Sequence, residues 1–162
     1  GAYGSEIKKI LIDVTAVNKS GILKKFSVKD LKLDYRTNKL SQEWMFIKAR
    51  FKSKNGSKDQ IQKKMKEIIQ SRKMSQPTGQ KTGGSTFMNG KNFKAWELID
   101  NSGCRGLKNG GAVISKKHCN FIINENNATA TDIETLGEIV RKKVFEKTGK
   151  KLKWENKIIG ER

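Results

Sequence analysis

Apolar residues in this sequence are gathered into short β-branched runs cut by glycine, and only two stretches have the length and period of helices of several turns. That order constrains the fold more than any other feature. Residues 6–17 are β-branched and partly alternating, then meet Asn18-Lys19-Ser20-Gly21 before Ile22-Leu23, which predicts a hairpin. A further strand is expected over 44–51, with Asn55-Gly56 as its stop. From 58 to 74 the apolar residues Ile61, Met65, Ile68 and Ile69 fall on one helical face, with lysines opposite. The loop 75–84 then holds Pro77, the only proline, and three glycines, and it is the expected boundary between two lobes.

After that loop, 93–102 reads as a short helix stopped by Gly103, and Ala112-Val113-Ile114 and Phe121-Ile122-Ile123 read as short strands. A second long helix is expected over 133–147, capped by Thr131 or Asp132, burying Ile133, Leu136, Ile139, Val140 and Val144, and ending at Gly149. The alternation in 152–159 predicts a last strand. Hairpins and helices follow one another without a regular βαβ rhythm, so the expected class is α+β.

The chain carries 35 Lys and Arg against 16 Asp and Glu, a net charge of +19. Such a balance favours phosphate-bearing partners. Here the lysines are scattered, and no motif of a nucleic-acid-binding fold organises them, so nucleic-acid binding ranks third among the functional readings. No apolar run approaches the length of a membrane span, and no secretory signal is expected. Two cysteines, Cys104 and Cys119, lack CxxC spacing and read as small buried hydrophobes in a reducing compartment. The expectation is a soluble cytoplasmic protein. The single histidine, His118, excludes a two-histidine metal site, and no metal is expected.

Gly83-Gly84-Ser85-Thr86-Phe87 sets a hydroxyl after two glycines, where backbone can bend and a ligand can approach closely. It matches neither a nucleophile elbow nor a phosphate loop, and read alone it is a glycine turn. Arg36 follows Tyr35 in a polar context, and Glu155 follows Trp154 in a strand-like segment where a charge ordinarily faces water.

In order along the chain stand Gly1-Ala2-Tyr3-Gly4, Tyr35-Arg36, Gln76-Pro77, Gly84-Ser85-Thr86-Phe87-Met88-Asn89, the run from Gly110 through His118-Cys119-Asn120-Phe121, Asn127-Ala128-Thr129-Ala130, Glu155 and Ile159-Gly160. This ordered set resembles the UDP-N-acetylenolpyruvoylglucosamine reductase family of peptidoglycan-precursor flavoenzymes. The short link between Phe51 and Ile61 matches the subgroup without an extra tyrosine-bearing loop. The chain departs from the family with Met88-Asn89-Gly90 for Lys-Asn-Pro, with Asn38 for a serine, and with Gln76 or Ser75 for a lysine.

The resemblance implies that NADPH reduces bound FAD, which passes hydride to the enolpyruvyl double bond of UDP-N-acetylglucosamine enolpyruvate. It implies Ser85 as proton donor, and Arg36 and Glu155 as groups that stabilise or help protonate the enol intermediate. Asn89, Arg72, Arg105 and His118 would contact the uridine-diphosphate portion, and Gly1, Ala2, Tyr3 and Gly4 the cofactor. In domain terms it implies a partial FAD-binding domain over 1–74 whose N-terminal lobe is absent, a substrate-binding domain over 75–151, and a strand over 152–162 returning to the first domain. The chain is then expected to be a monomer, or paired with the absent lobe. The competing reading is a folded, non-catalytic remnant that keeps a UDP-sugar-binding module.

Overall fold

The computed structural model describes residues 3–160, and the chain divides into two compact units, Gly1–Gln60 and Ile61–Arg162. By compactness the division falls inside a helix.

The first unit is built on β1 (Leu11–Val17), β2 (Leu23–Ser27) and β3 (Met45–Phe51), antiparallel in the order β2-β1-β3. Asn18 shapes the β1–β2 turn, its side-chain oxygen accepting from the backbone N–H groups of Ser20 and Ile22. A one-turn helix, α1 (Val28–Leu31), follows β2 and is closed by a reciprocal Ser27–Asp30 capping box. One face of the sheet buries Leu11, Val14, Ala16 and Phe26 with Leu31, and Trp44 meets Phe26 edge-on at 5.0 Å between ring centres. Asp13 is buried in the central strand and takes two-pronged hydrogen bonds from Arg50 across β3. By contrast, β3 is exposed along all seven residues, Met45, Phe46, Ile47 and Phe51 included.

Helix α2 (Lys58–Ser75) follows. Its expected stripe forms, but Ile61, Met65, Ile69 and Met74 are exposed. Periodicity identifies the apolar side of a helix; it does not supply a neighbour to cover it.

In the second unit, β4 (Thr82–Ser85), β5 (Lys108–Asn109), β6 (Ala112–Ile114) and β7 (Phe121–Asn124) form an antiparallel sheet in the order β4-β7-β6-β5. Helices α3 (Ala95–Asn101) and α4 (Ala130–Thr148) complete the unit. Leu136, Val140 and Val144 of α4 are fully buried with Ile99, Ile114, Ile122 and Leu152. Each such aliphatic side chain contributes about 1.5–3 kcal/mol relative to exposure. Cys104 and Cys119 are buried free thiols, as the composition led us to expect.

The α+β class expected from the sequence is the one observed, with two local corrections. Helix α4 starts at Ala130, and its cap is Thr129, whose hydroxyl accepts from the Asp132 N–H while the Asp132 carboxylate accepts from the Thr129 N–H. The earlier start adds a turn, because this reciprocal box satisfies two otherwise orphaned donors. The strand expected over 152–159 is reduced to a single bridge, Trp154 to Phe87. Among the described residues no helix is long and apolar enough to cross a membrane.

Candidate functional site

Ser85 closes β4 opposite Phe121 of β7, after a register irregularity that begins at Thr82. Gly84, immediately before it, has φ +87°, a left-handed conformation that glycine adopts without strain. The chain therefore bends where the serine emerges. Ser85 is half-buried, and its hydroxyl has no hydrogen bond to another described residue.

Beyond Ser85 the backbone is held from both sides. On the β7 side, the Thr86 N–H donates to the Asn120 carbonyl at 2.8 Å. The Asn120 carboxamide then takes the Phe87 N–H on its oxygen at 3.0 Å and gives an N–H to the Phe87 carbonyl at 2.9 Å. On the other side runs the chain end: the Met88 N–H donates to the Lys153 carbonyl and the Glu155 N–H to the Thr86 carbonyl, both at 2.8 Å. Ser85 and Glu155, 70 positions apart by number, thus sit on neighbouring extended segments of one unit.

What presents Glu155 is the pair Leu152 and Trp154. Leu152 is buried, and its carbonyl accepts from Arg141 of α4 at 3.1 Å. The Trp154 ring packs on Phe87 at 4.9 Å between centres and donates its indole N–H to Glu138 at 2.9 Å. The space for that indole exists because α4 has glycine at 137.

Arg36 belongs to the first unit. It lies in a tight turn between Asp34 and Thr37 with φ +56°, its guanidinium over the Tyr35 ring at 5.0 Å from the centre. The Tyr35 N–H donates to the Asp34 carboxylate at 2.7 Å, which tightens the turn.

The four residues expected at the uridine-diphosphate portion have definite local roles. Asn89 accepts the Ala95 N–H at 2.9 Å, tying the turn after Ser85 to the start of α3. Arg72 bonds Gln76 at 3.0 Å at the end of α2. Arg105 forms a two-pronged pair with Asp100 at 2.7 and 2.6 Å and also donates to the Lys116 carbonyl. The Arg105 guanidinium holds the Asp100 carboxyl below its ordinary range. His118 packs edge-on against Phe121 at 4.9 Å and accepts the Asn120 N–H on Nδ1 at 3.3 Å. Burial, partly offset by a backbone hydrogen bond, and the Arg105 charge push its imidazole down, which favours the neutral ring.

Of the residues expected at the cofactor, Gly1 and Ala2 lie outside the described residues. Tyr3 and Gly4 have φ +51° and +75°, Tyr3 is 55% exposed, and nothing stands within 4 Å of the position of a Gly4 side chain. Among the described residues no group of His, Cys, Asp or Glu is arranged to hold a metal ion.

Sequence reasoning assigned no role to Asn120, Gly137 or Trp154. Each acts on a residue remote in sequence; Asn120 stands inside the motif run that ends at Phe121, the one signal that could have found it, and Gly137 and Trp154 stand in none.

Comparison with known proteins adds three findings. Residues 76–159 match the family model of the UDP-N-acetylenolpyruvoylglucosamine reductase C-terminal domain. The UDP-N-acetylenolpyruvoylglucosamine reductase of Wolbachia sp. subsp. Brugia malayi is 48% identical over 161 residues, 99% of this chain and 55% of that protein. That of Orientia tsutsugamushi (strain Ikeda) is also 48% identical, over 162 residues and 54% of its length. The chain therefore spans about half the length of the curated relatives it matches. Among solved structures, UDP-N-acetylenolpyruvylglucosamine reductase from Thermus caldophilus superposes with a TM-score of 0.82 at 32% identity, over 96% of this chain and 56% of that one.

Proposed function

The chain belongs to the UDP-N-acetylenolpyruvoylglucosamine reductase family, and from that membership we propose that it serves the NADPH-dependent reduction of UDP-N-acetylglucosamine enolpyruvate to UDP-N-acetylmuramate, a cytoplasmic step of peptidoglycan synthesis. The net change is one hydride and one proton added across a carbon–carbon double bond. Bound FAD, reduced by NADPH, supplies the hydride. Residues 1–74 serve the flavin side and 75–151 the substrate side, while 152–162 bring Glu155 to the reacting group. Tyr3 and Gly4 form the part of the cofactor wall that lies among the described residues.

The observation that carries this reading is the adjacency of Ser85 and Glu155 through the Thr86 carbonyl. Hydride addition leaves a carbanion or enol that needs a proton on one face and charge stabilisation beside the substrate carboxylate. Ser85 gives its hydroxyl proton to that carbon and regains one from water. A serine is a weak acid, so the transfer depends on a fixed geometry and a strong carbon base. Arg36 supplies a permanent cation for the developing enolate, and Glu155 a carboxyl group that assists protonation. Asn89, Arg72, Arg105 and His118 shape the uridine-diphosphate contact, with Arg105 oriented by Asp100.

The test separates the two half-reactions in a flavin-loaded chimera that joins these 162 residues to the part of the Brugia malayi Wolbachia relative they do not span. Ser85→Ala should leave flavin reduction by NADPH near its starting rate and slow reoxidation by substrate by several orders of magnitude. Equal losses in both steps would remove Ser85 from the acid role.

A further inference from the structure

Two asparagines four positions apart around β7 do the same physical work at different places. Asn124 takes the Ala128 N–H at 2.9 Å and gives an N–H to the Ala128 carbonyl at 3.3 Å, which closes the loop before α4. Asn120 does this to Phe87, 33 positions away. A primary carboxamide presents one donor and one acceptor in a plane, as a peptide unit does. The β4–β7 ladder has its last paired residues at Ser85 and Phe121, where the chain turns back through the Phe121 N–H to His118 carbonyl bond at 3.0 Å. Past that point one further backbone bond forms, from the Thr86 N–H to the Asn120 carbonyl, and the Asn120 side chain then carries the pairing on to Phe87.

The consequence falls on Ser85. Phe87 and Asn120 are 1% and 4% exposed, so water does not substitute for the clamp if the carboxamide is removed. The Thr86 N–H, on the Asn120 carbonyl, and both polar groups of Phe87 thus depend on one residue. Gly84 has no side chain to pack on one side, so the direction of Ser85 is set by what holds 86 and 87 on the other. We infer that Asn120 is a positioning residue for proton donation: its carboxamide extends the β4–β7 ladder onto Phe87 and so aims the Ser85 hydroxyl. This rests on the assignment of Ser85 as the donor.

The experiment compares Asn120→Ala with Asn124→Ala, a matched loss of one two-ended amide clamp on the same strand, and with Ser85→Ala. In the 162-residue chain, amide hydrogen exchange at Phe87, whose acceptor is lost, should rise at least tenfold in Asn120→Ala and stay within twofold in Asn124→Ala. In the flavin-loaded chimera, Asn120→Ala should slow reoxidation by about a hundredfold, the usual cost of misplacing a reacting group by an ångström, with reduction by NADPH unchanged. The solvent deuterium isotope effect on reoxidation should also increase, a readout that loss of folded enzyme does not move. If the alanine variant does not fold, Asn120→Leu keeps about the same size, removes both the donor and the acceptor, and carries the same comparison. Unchanged exchange at Phe87, or equal slowing of both half-reactions with an unaltered isotope effect, overturns the inference. If Ser85→Ala slows reoxidation and the Asn120 variant does not, the positioning role alone falls; if Ser85→Ala leaves reoxidation intact, the donor assignment falls with it.

Discussion

Trp154 stands directly on Gly137: a methyl group built at that glycine would lie 2.0 Å from the indole Cη2. In an exposed helix, replacing glycine by alanine stabilises by about 1 kcal/mol. Here the added carbon would push the indole off α4, and with it the segment that carries Glu155. Gly137→Ala should therefore destabilise the second unit by about 1–3 kcal/mol, the usual range for overpacking. Urea denaturation followed by tryptophan fluorescence measures it, and an unchanged or higher midpoint would contradict the packing argument.

Flavin binding by the 162-residue chain alone should be weak or absent. Tyr3 and Gly4 are open to solvent, and a cofactor held on one wall gains little of the burial that tight binding requires. Titration of FAD with flavin fluorescence as the readout decides the matter. Tight one-to-one binding would refute the expectation.

If Arg36 and Glu155 act on one intermediate, their losses should not add. In the flavin-loaded chimera, Arg36→Ala and Glu155→Ala together should raise the reoxidation barrier by clearly less than the sum of the separate effects. A double-mutant cycle on the reoxidation rate is the measurement, and strict additivity would separate their roles.

The Asp13–Arg50 pair predicts an acid limb for the first unit. The Arg50 hydrogen bonds, and then the charges of Arg50 and Lys25, hold the Asp13 carboxyl below its ordinary value, against an opposing effect of burial. A group whose folded value is depressed stabilises the fold above its unfolded value, about 3.9 for Asp. That contribution is lost as pH falls through the lower folded value. Asp13→Asn should flatten this part of the pH-stability profile below about pH 4. Thermal melts of both proteins from pH 3 to 7 test it, and parallel profiles would count against the pair.

Local periodicity was enough to find α2, α4 and the apolar strands β6 and β7, because each depends on the spacing of neighbours within a turn or a pleat. The family motif likewise stood in order along the chain, so Arg36, Ser85 and Glu155 could be singled out before any coordinates. Three things needed the tertiary structure. The cap of α4 is Thr129, although Thr131 has the same side chain, because Asn124 ties down the residue before Thr129 and brings the chain into the helix there. Residues 152–154 follow the backbone of 86–88 instead of forming a longer strand, since the slot over Gly137 and the bonds to Met88 and Thr86 are supplied by distant parts of the chain. The amphipathic face of α2 is exposed, because alternation along a helix encodes a preference for an apolar neighbour and carries no information on whether one is present. Spacing in sequence sets what a segment is; the contacts that aim Ser85 and Glu155 join residues 11 or more positions apart, which only the folded backbone brings within hydrogen-bonding distance.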